Sequence, residues 1–65
     1  MSENELPPNI AAAVKNKYAD YKIDSAEVYE RDGTKTYKIE IEKGWFNERD
    51  LTIDASGKIV NDIED

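Results

Sequence analysis

The chain of 65 residues allows one domain with one hydrophobic core. It contains no cysteine and no histidine, which excludes disulfides and the His/Cys sites of zinc, haem and iron–sulfur clusters. The net charge of −6 disfavours nucleic acid and anionic membranes as partners, and no apolar run reaches the roughly 18 residues that membrane insertion would need.

The first predicted element is a short helix that starts at a pair of prolines. Pro7 and Pro8 suit the first helical turn, where a missing N–H is tolerated, and Asn9 is an alternative N-cap. Over residues 10–19 the apolar side chains recur at helical spacing on one narrow stripe, formed by Ile10, Val14 and Tyr18. A helix of this length needs a partner surface to be stable.

The next segment, residues 22–31, changes to the period of a strand but has two candidate inward faces. Ala26 and Val28 share one face, whereas Ile23 lies on the other. A bulge near Ser25 would bring Ile23 to the same side as Ala26 and Val28 and would reconcile the pattern.

A turn at Asp32-Gly33 leads into the clearest strand of the sequence, because both turn residues accept the positive φ values of a tight hairpin. Apolar and charged side chains then alternate strictly, which is typical of an antiparallel sheet covered on one side only. The apolar positions are Tyr37, Ile39 and Ile41, and the charged positions are Lys38, Glu40 and Glu42.

The last part of the chain predicts a loop and a closing hairpin. Residues 44–48 interrupt the alternation, and Leu51 and Ile53 resume it. A turn follows that requires Gly57 in a left-handed conformation. The last strand is expected over residues 58–63, with buried side chains drawn from Ile59, Val60 and Ile63.

The predicted fold class is α+β, with one N-terminal helix packed on a four-stranded antiparallel sheet in the order α-β-β-β-β. Short connections between successive strands make a meander the simplest topology. Residues 1–5 are polar and are expected to be disordered, so the domain covers residues 6–65. The helical stripe is expected to cover a core that contains Val28, Tyr37, Ile39, Ile41, Leu51, Ile53 and Ile59.

Three segments, taken in order, carry a family resemblance. They are Leu6-Pro7 ahead of the helical stripe, the alternating strand at residues 37–41 and the hairpin at residues 51–60 with its Asp and Gly. Together they resemble the PepSY and PepSY-like domains of bacterial extracytoplasmic proteins. The chain departs from that family after the helix, where Pro-Gly is replaced by Ala19-Asp20-Tyr21, and in the loop at residues 44–48.

The resemblance implies a non-catalytic module, which in some proteins is associated with peptidase propeptides and is proposed to restrain a peptidase. It supplies no catalytic residues. It also implies an extracytoplasmic or secreted location after removal of a signal, whereas a cytoplasmic location is expected without it.

Catalytic and metal-binding groups are sparse in the sequence. Ser56 and Lys58, two positions apart, are the serine and lysine nearest to each other in the sequence, and a turn explains both. Glu40 and Glu42 are interpreted as a solvated strand face rather than as paired catalytic acids. We therefore expect no enzymatic activity and no cofactor. Calcium is the one metal that the composition permits, with weak candidate ligands at Asp54, Asp62 and Asp65.

The adjacent aromatic residues Trp45 and Phe46 are the most informative pair in the chain. One interpretation is that one of them caps the open end of the core. The functional interpretation is an exposed anchor for a protein partner such as a peptidase. Tyr29 would extend that patch, and the charged strand positions Lys38, Glu40 and Glu42 would complete the predicted partner-binding surface. The alternatives are a homodimer formed through an open sheet edge or face and a small acidic ion-binding domain.

Overall fold

In the computed structural model, which describes residues 5–64, the chain forms one helix followed by a four-stranded sheet. Their bounds are α1 Pro8–Lys17, β1 Lys22–Arg31, β2 Thr34–Lys43, β3 Asn47–Asp54 and β4 Ile59–Glu64. Each strand pairs antiparallel with the next, in the spatial order β1-β2-β3-β4. The predicted α+β meander is therefore confirmed. The disorder predicted for residues 1–5 falls mostly on residues 1–4, which lie outside the described residues, as does Asp65.

The start of α1 is fixed by its prolines. Pro7 occupies the N-cap, and its carbonyl accepts hydrogen bonds from the backbone N–H of Ile10 at 3.0 Å and of Ala11 at 3.1 Å. Asn9 lies inside the helix, so the alternative N-cap at this residue is wrong. Its side-chain amide instead donates a hydrogen bond to the carbonyl of Ala55 at 3.1 Å, which ties the helix start to the β3–β4 turn.

The end of α1 lies at Lys17, whereas the sequence pattern extended the helix to residue 19. Tyr18 leaves the helical conformation with φ −129° and ψ 59°, although its N–H still donates to the carbonyl of Val14 at 2.7 Å. The ring of Tyr18 packs edge-on against that of Tyr21, with 5.1 Å between centroids. The apolar stripe of α1 therefore includes Tyr18, although this residue lies one position beyond the end of the helix.

The hydrophobic core lies between α1 and one face of the sheet. Ile10 and Val14 contribute from the helix, as the periodicity predicts. The remaining buried side chains are Leu6, Ala26, Tyr37, Ile39, Ile41, Leu51 and Ile53, with Ile59 partly buried against them. The alternation in β2 and β3 thus identified the inward face correctly.

Strand β1 has the predicted bulge, but one of its expected core residues is exposed. The register with β2 shifts between Ile23 and Ser25, so Ile23 is half-buried on the same side as Ala26, which is buried. Val28 is 41% exposed, so its prediction as a core residue is wrong. The reason is position: β1 is one edge of the sheet, whereas α1 is tied to the opposite edge, where Asn9 contacts Ala55 and Tyr18 contacts Asp62.

Strand β4 also contains an irregularity, which separates its candidate core residues. The register with β3 shifts between the pairs Thr52–Asn61 and Ile53–Ile59, leaving Val60 as the extra residue. Of the side chains predicted to be buried, only Ile59 packs against the core, whereas Val60 and Ile63 are each 53% exposed.

The face of the sheet turned away from α1 is called the open face here. Its side chains alternate along each strand with the buried ones, and they form rows across the paired strands. The β2–β3 turn lies at one end of this face, and the β1–β2 and β3–β4 turns lie at the other. The three rows nearest the β2–β3 turn are Lys22, Glu42 and Glu48; Ser25, Glu40, Asp50 and Ile63; and Glu27, Lys38, Thr52 and Asn61.

Candidate partner-binding surface

Two aromatic side chains project from the end of the β2–β3 hairpin. The strands remain paired up to Lys43 and Asn47, and Gly44 makes the turn possible with a φ of +68°. Trp45 and Phe46 follow, and each is 92% exposed. These two residues are called the aromatic tip below.

The interpretation of the aromatic tip as a cap on the core is wrong. The last buried residue of β2 is Ile41, and the paired hairpin continues past it before the chain turns. The rings therefore lie beyond the end of the core rather than above it. Fully burying a large apolar side chain stabilises a structure by roughly 1.5–3 kcal/mol, and the folded chain leaves this contribution unused at both positions.

The open face next to the aromatic tip places acidic side chains directly opposite one another. Glu42 of β2 pairs with Glu48 of β3, and Glu40 pairs with Asp50. Lys22 lies across from Glu42 on the other side. The hydroxyl of Ser25 donates a hydrogen bond to Glu40 Oε2 at 3.0 Å, which engages one oxygen of that carboxylate. The predicted surface residues Glu40 and Glu42 therefore lie on the exposed side of the sheet and lead toward the aromatic tip.

A shallow groove of about 300 Å³ crosses the open face. Tyr29 from β1 and Ile63 from β4 stand at its two sides, with 50% and 53% of their surface exposed. Lys38, Glu40 and Asp50 contribute to its lining. Three of the residues that the sequence predicts for partner binding, Tyr29, Lys38 and Glu40, are thus brought together in this groove.

Tyr29 does not extend the aromatic tip. It pairs with Thr36, near the opposite end of β2 from Lys43. At the usual rise of about 3.4 Å per residue, the two positions are roughly 24 Å apart along the strand. The hydroxyl of Tyr29 donates to Glu27, and this hydrogen bond together with the Glu27 charge raises the pKa of Tyr29. The surface therefore has two separate apolar features joined by acidic rows.

A cluster of polar side chains on the other face connects α1 to β4, and sequence reasoning did not predict it. Asp62 accepts hydrogen bonds from the Tyr18 hydroxyl and from Arg49 Nε at 2.8 Å, and Lys17 Nζ lies 3.2 Å from its second oxygen. The side chain of Asp62 is only 16% exposed. These four residues are called the Asp62 cluster.

The bulge at Val60 is what turns Asp62 toward the helix. In a regular strand Asp62 would lie on the face opposite to that of Ile59, whereas the register shift places it opposite the buried Leu51. Burial acts to raise the pKa of Asp62, but the hydrogen bonds from Tyr18, Arg49 and Lys17 lower it below its usual range. Burial and the bond to Asp62 raise the pKa of Tyr18.

The candidate calcium ligands do not converge. Asp54 closes the β3–β4 turn, where its Oδ1 accepts from the backbone N–H groups of Ser56 and Lys58, each at 3.0 Å, and from the Ser56 hydroxyl. These bonds, led by that of the Ser56 hydroxyl, lower the pKa of Asp54. Asp62 faces the helix, and Asp65 lies outside the described residues. Over residues 5–64 no group of three acidic side chains is placed to hold a metal ion.

Comparisons of the chain with protein-family models, with curated proteins and with solved structures found no match. In the part of the chain that the structure describes, no helix has the length and apolar character needed to cross a membrane.

Proposed function

We propose that this chain is a non-catalytic protein-binding module that uses the aromatic tip as its anchor. The observation that carries the proposal is the exposure of 92% at both Trp45 and Phe46. Tryptophan and other large side chains dominate binding energy when they enter a pocket on a partner. Adjacent exposed aromatic side chains are also a larger apolar feature than the single exposed residues that ordinary surfaces carry.

The geometry of the hairpin favours an anchor that is already formed before binding. The strands on both sides of the tip are paired up to Lys43 and Asn47, so little backbone has to be ordered when a partner binds. Ordering costs reduce affinity, and a pre-formed element avoids most of them. The net charge of −6 favours a protein over nucleic acid or an anionic membrane as the partner.

The resemblance of residues 6–60 to PepSY-like domains supports a peptidase as the partner, with the module restraining its activity. In this proposal the chain contributes binding and no catalytic group. A peptidase is accordingly the first class of protein to look for among those that the module retains.

The test compares capture of proteins from the source organism by three immobilised forms of the chain. The binding variant is Trp45→Ala/Phe46→Ala, and the control variant is Val28→Ala/Val60→Ala, which also removes two exposed apolar side chains but far from the tip. We expect one protein to be retained equally by the original chain and the control, and at least roughly tenfold less by the tip variant, since loss of one hot-spot residue costs about 2 kcal/mol. Equal retention by all three folded forms contradicts the proposal.

The nature of the partner is decided by two further measurements. Hydrolysis of casein by the retained protein, with and without added module, shows whether a peptidase is restrained. Sedimentation of the isolated chain at high concentration shows whether a second copy is the partner instead. A dimer that becomes a monomer in the tip variant would replace the peptidase proposal with self-association through the tip.

A further inference from the structure

The open face is an uncovered surface that runs directly into the aromatic tip. α1 packs on the other side of the sheet, and the row of Glu42 and Glu48 lies between the tip and the row of Glu40 and Asp50. A partner that binds the tip and extends along the uncovered side of the sheet would therefore lie against these two acidic rows. The negative charge of these rows consequently limits which side chains that partner can place against them.

Both rows are arranged in a way that costs stability. Like charges directly opposite each other on paired strands are destabilising. Glu42 faces Glu48 and Glu40 faces Asp50, so two successive cross-strand pairs are of this kind. Lys22 and Lys38 lie in or beside these rows, but they do not separate the paired carboxylates. Repulsion between the paired carboxylates costs stability in the free chain, and positive charge that binds across them reduces this repulsion.

The groove beside these rows suits long cationic side chains. Tyr29 and Ile63 provide exposed apolar walls, and the lining also contains three carboxylates, from Glu27, Glu40 and Asp50, against the single cation of Lys38. Lysine and arginine combine an apolar stem with a charged end, and an arginine or lysine head group is also attracted to an aromatic ring. The walls and the carboxylates thus match the two parts of one side chain.

We propose that the open face binds a lysine- and arginine-rich extended segment of the partner protein that holds the aromatic tip. The proposal rests on the proposed binding function and adds the chemical class of the partner. The two surfaces contribute differently to binding. The tip supplies most of the affinity, whereas the acidic rows raise the association rate and select a basic partner.

The test is an NMR titration of the isotopically labelled chain with a capped octalysine peptide, and with octaglutamate as the opposite-charge control. We expect octalysine to shift the backbone amides around residues 38–42 and 48–52, and octaglutamate to leave them unchanged. The apparent affinity should fall several-fold between low salt and about 0.5 M salt because screening shortens the reach of the field.

Two variants with the same loss of charge make the titration specific. Glu40→Gln/Asp50→Asn removes one acidic row and should weaken octalysine binding by roughly three- to tenfold. Glu30→Gln/Asp32→Asn removes two acids at the β1–β2 hairpin and should have little effect. Equal weakening by both variants, or shifts spread evenly over all acidic residues, would show that net charge alone attracts the peptide and would overturn the proposal.

The result is independent of the aromatic tip, so the two proposals can fail separately. Trp45→Ala/Phe46→Ala should bind octalysine as the original chain does, since that peptide offers no pocket for the rings. If octalysine fails to bind while the tip variant still loses its captured protein, the binding function stands and the basic segment does not. If octalysine binds as expected while all forms capture the same proteins, the tip proposal is the one that fails.

Discussion

Charged side chains have opposite effects on stability on the two faces of the sheet. On the face that packs against α1, the carboxylate of Asp62 is surrounded by three donors, from Tyr18, Arg49 and Lys17. On the open face, Glu40 and Asp50 lie opposite each other across the paired strands. The same strands therefore carry a face whose charges stabilise the fold and a face whose charges repel one another. The difference indicates that stability is concentrated on one side of the sheet.

The largest expected effect comes from truncating the covered face. Ile39→Ala should lower the free energy of unfolding by about 2–5 kcal/mol, because it removes a side chain that is 1% exposed and leaves a cavity. Ile63→Ala, on the open face, should cost less than about 1 kcal/mol. Urea unfolding, monitored by circular dichroism, measures the free energy of unfolding of both variants. Similar losses for the two variants would show that the open face is also part of the core.

The Asp62 cluster gives the next largest effect, and it should depend on pH. Asp62→Asn should destabilise the chain by roughly 1.5–3 kcal/mol at neutral pH, as expected for hydrogen bonds to a charged group. The pKa of Asp62 is lower in the folded chain than in the unfolded one. Its contribution is therefore fully present above the unfolded value, near 4, and is lost as the pH falls through the folded pKa.

The matching measurement is urea unfolding of Asp62→Asn and of the original chain at pH 7 and near pH 2.5. The difference between them should shrink markedly at the lower pH. Asp50→Asn, on the open face, serves as the control and should not destabilise the chain at either pH. A difference for Asp62→Asn that stays constant with pH would mean that packing, rather than charge, holds the cluster together.

Charge reversal on the open face should have a smaller effect of opposite sign. Glu48→Lys places a lysine opposite Glu42 and should stabilise the chain by a few tenths of a kcal/mol at low salt. Glu30→Lys is the matched reversal in β1, where it would replace a favourable pair with Lys35 by two like charges. It should be slightly destabilising. Thermal unfolding at low and high salt would settle the comparison, and both shifts should diminish as salt is added.

The smallest expected effect is at the aromatic tip. Trp45→Ala/Phe46→Ala should leave the free energy of unfolding nearly unchanged, because both side chains are 92% exposed in the folded chain. Circular dichroism during urea unfolding tests this directly. A large loss would assign the two rings a structural role and weaken their assignment as an anchor.

Most of the fold follows from local patterns in the sequence, and the exceptions have a common cause. Alternation in β2 and β3 identified the buried face, and the turn residues located the hairpins. Val28 was misassigned because alternation gives the face of a residue but not whether the sheet and helix extend far enough to cover it. Its exposure of 41% depends on which strands α1 covers, and α1 contacts the β3–β4 side of the sheet rather than β1.

The candidate surface was predictable only in part for similar reasons. The sequence located Trp45 and Phe46 in a loop, but how far the hairpin extends beyond Ile41 depends on strand pairing. Asp62 was considered only as a candidate calcium ligand, and its contacts with α1 were not predicted because the bulge at Val60 has no local sequence signature here. Tyr29 was expected to face outward under one of the two candidate faces of residues 22–31, and both its face and its distance from the tip depend on the register of β1 with β2.

The exposure of Trp45 has a practical consequence for optical measurements on this chain. It is the only tryptophan, and its indole is nearly as accessible to water in the folded state as it would be in the unfolded state. Its fluorescence should therefore change little on unfolding. The same emission should shift to shorter wavelength when a partner encloses the ring. Trp45 fluorescence is therefore an intrinsic reporter of binding that is nearly insensitive to folding.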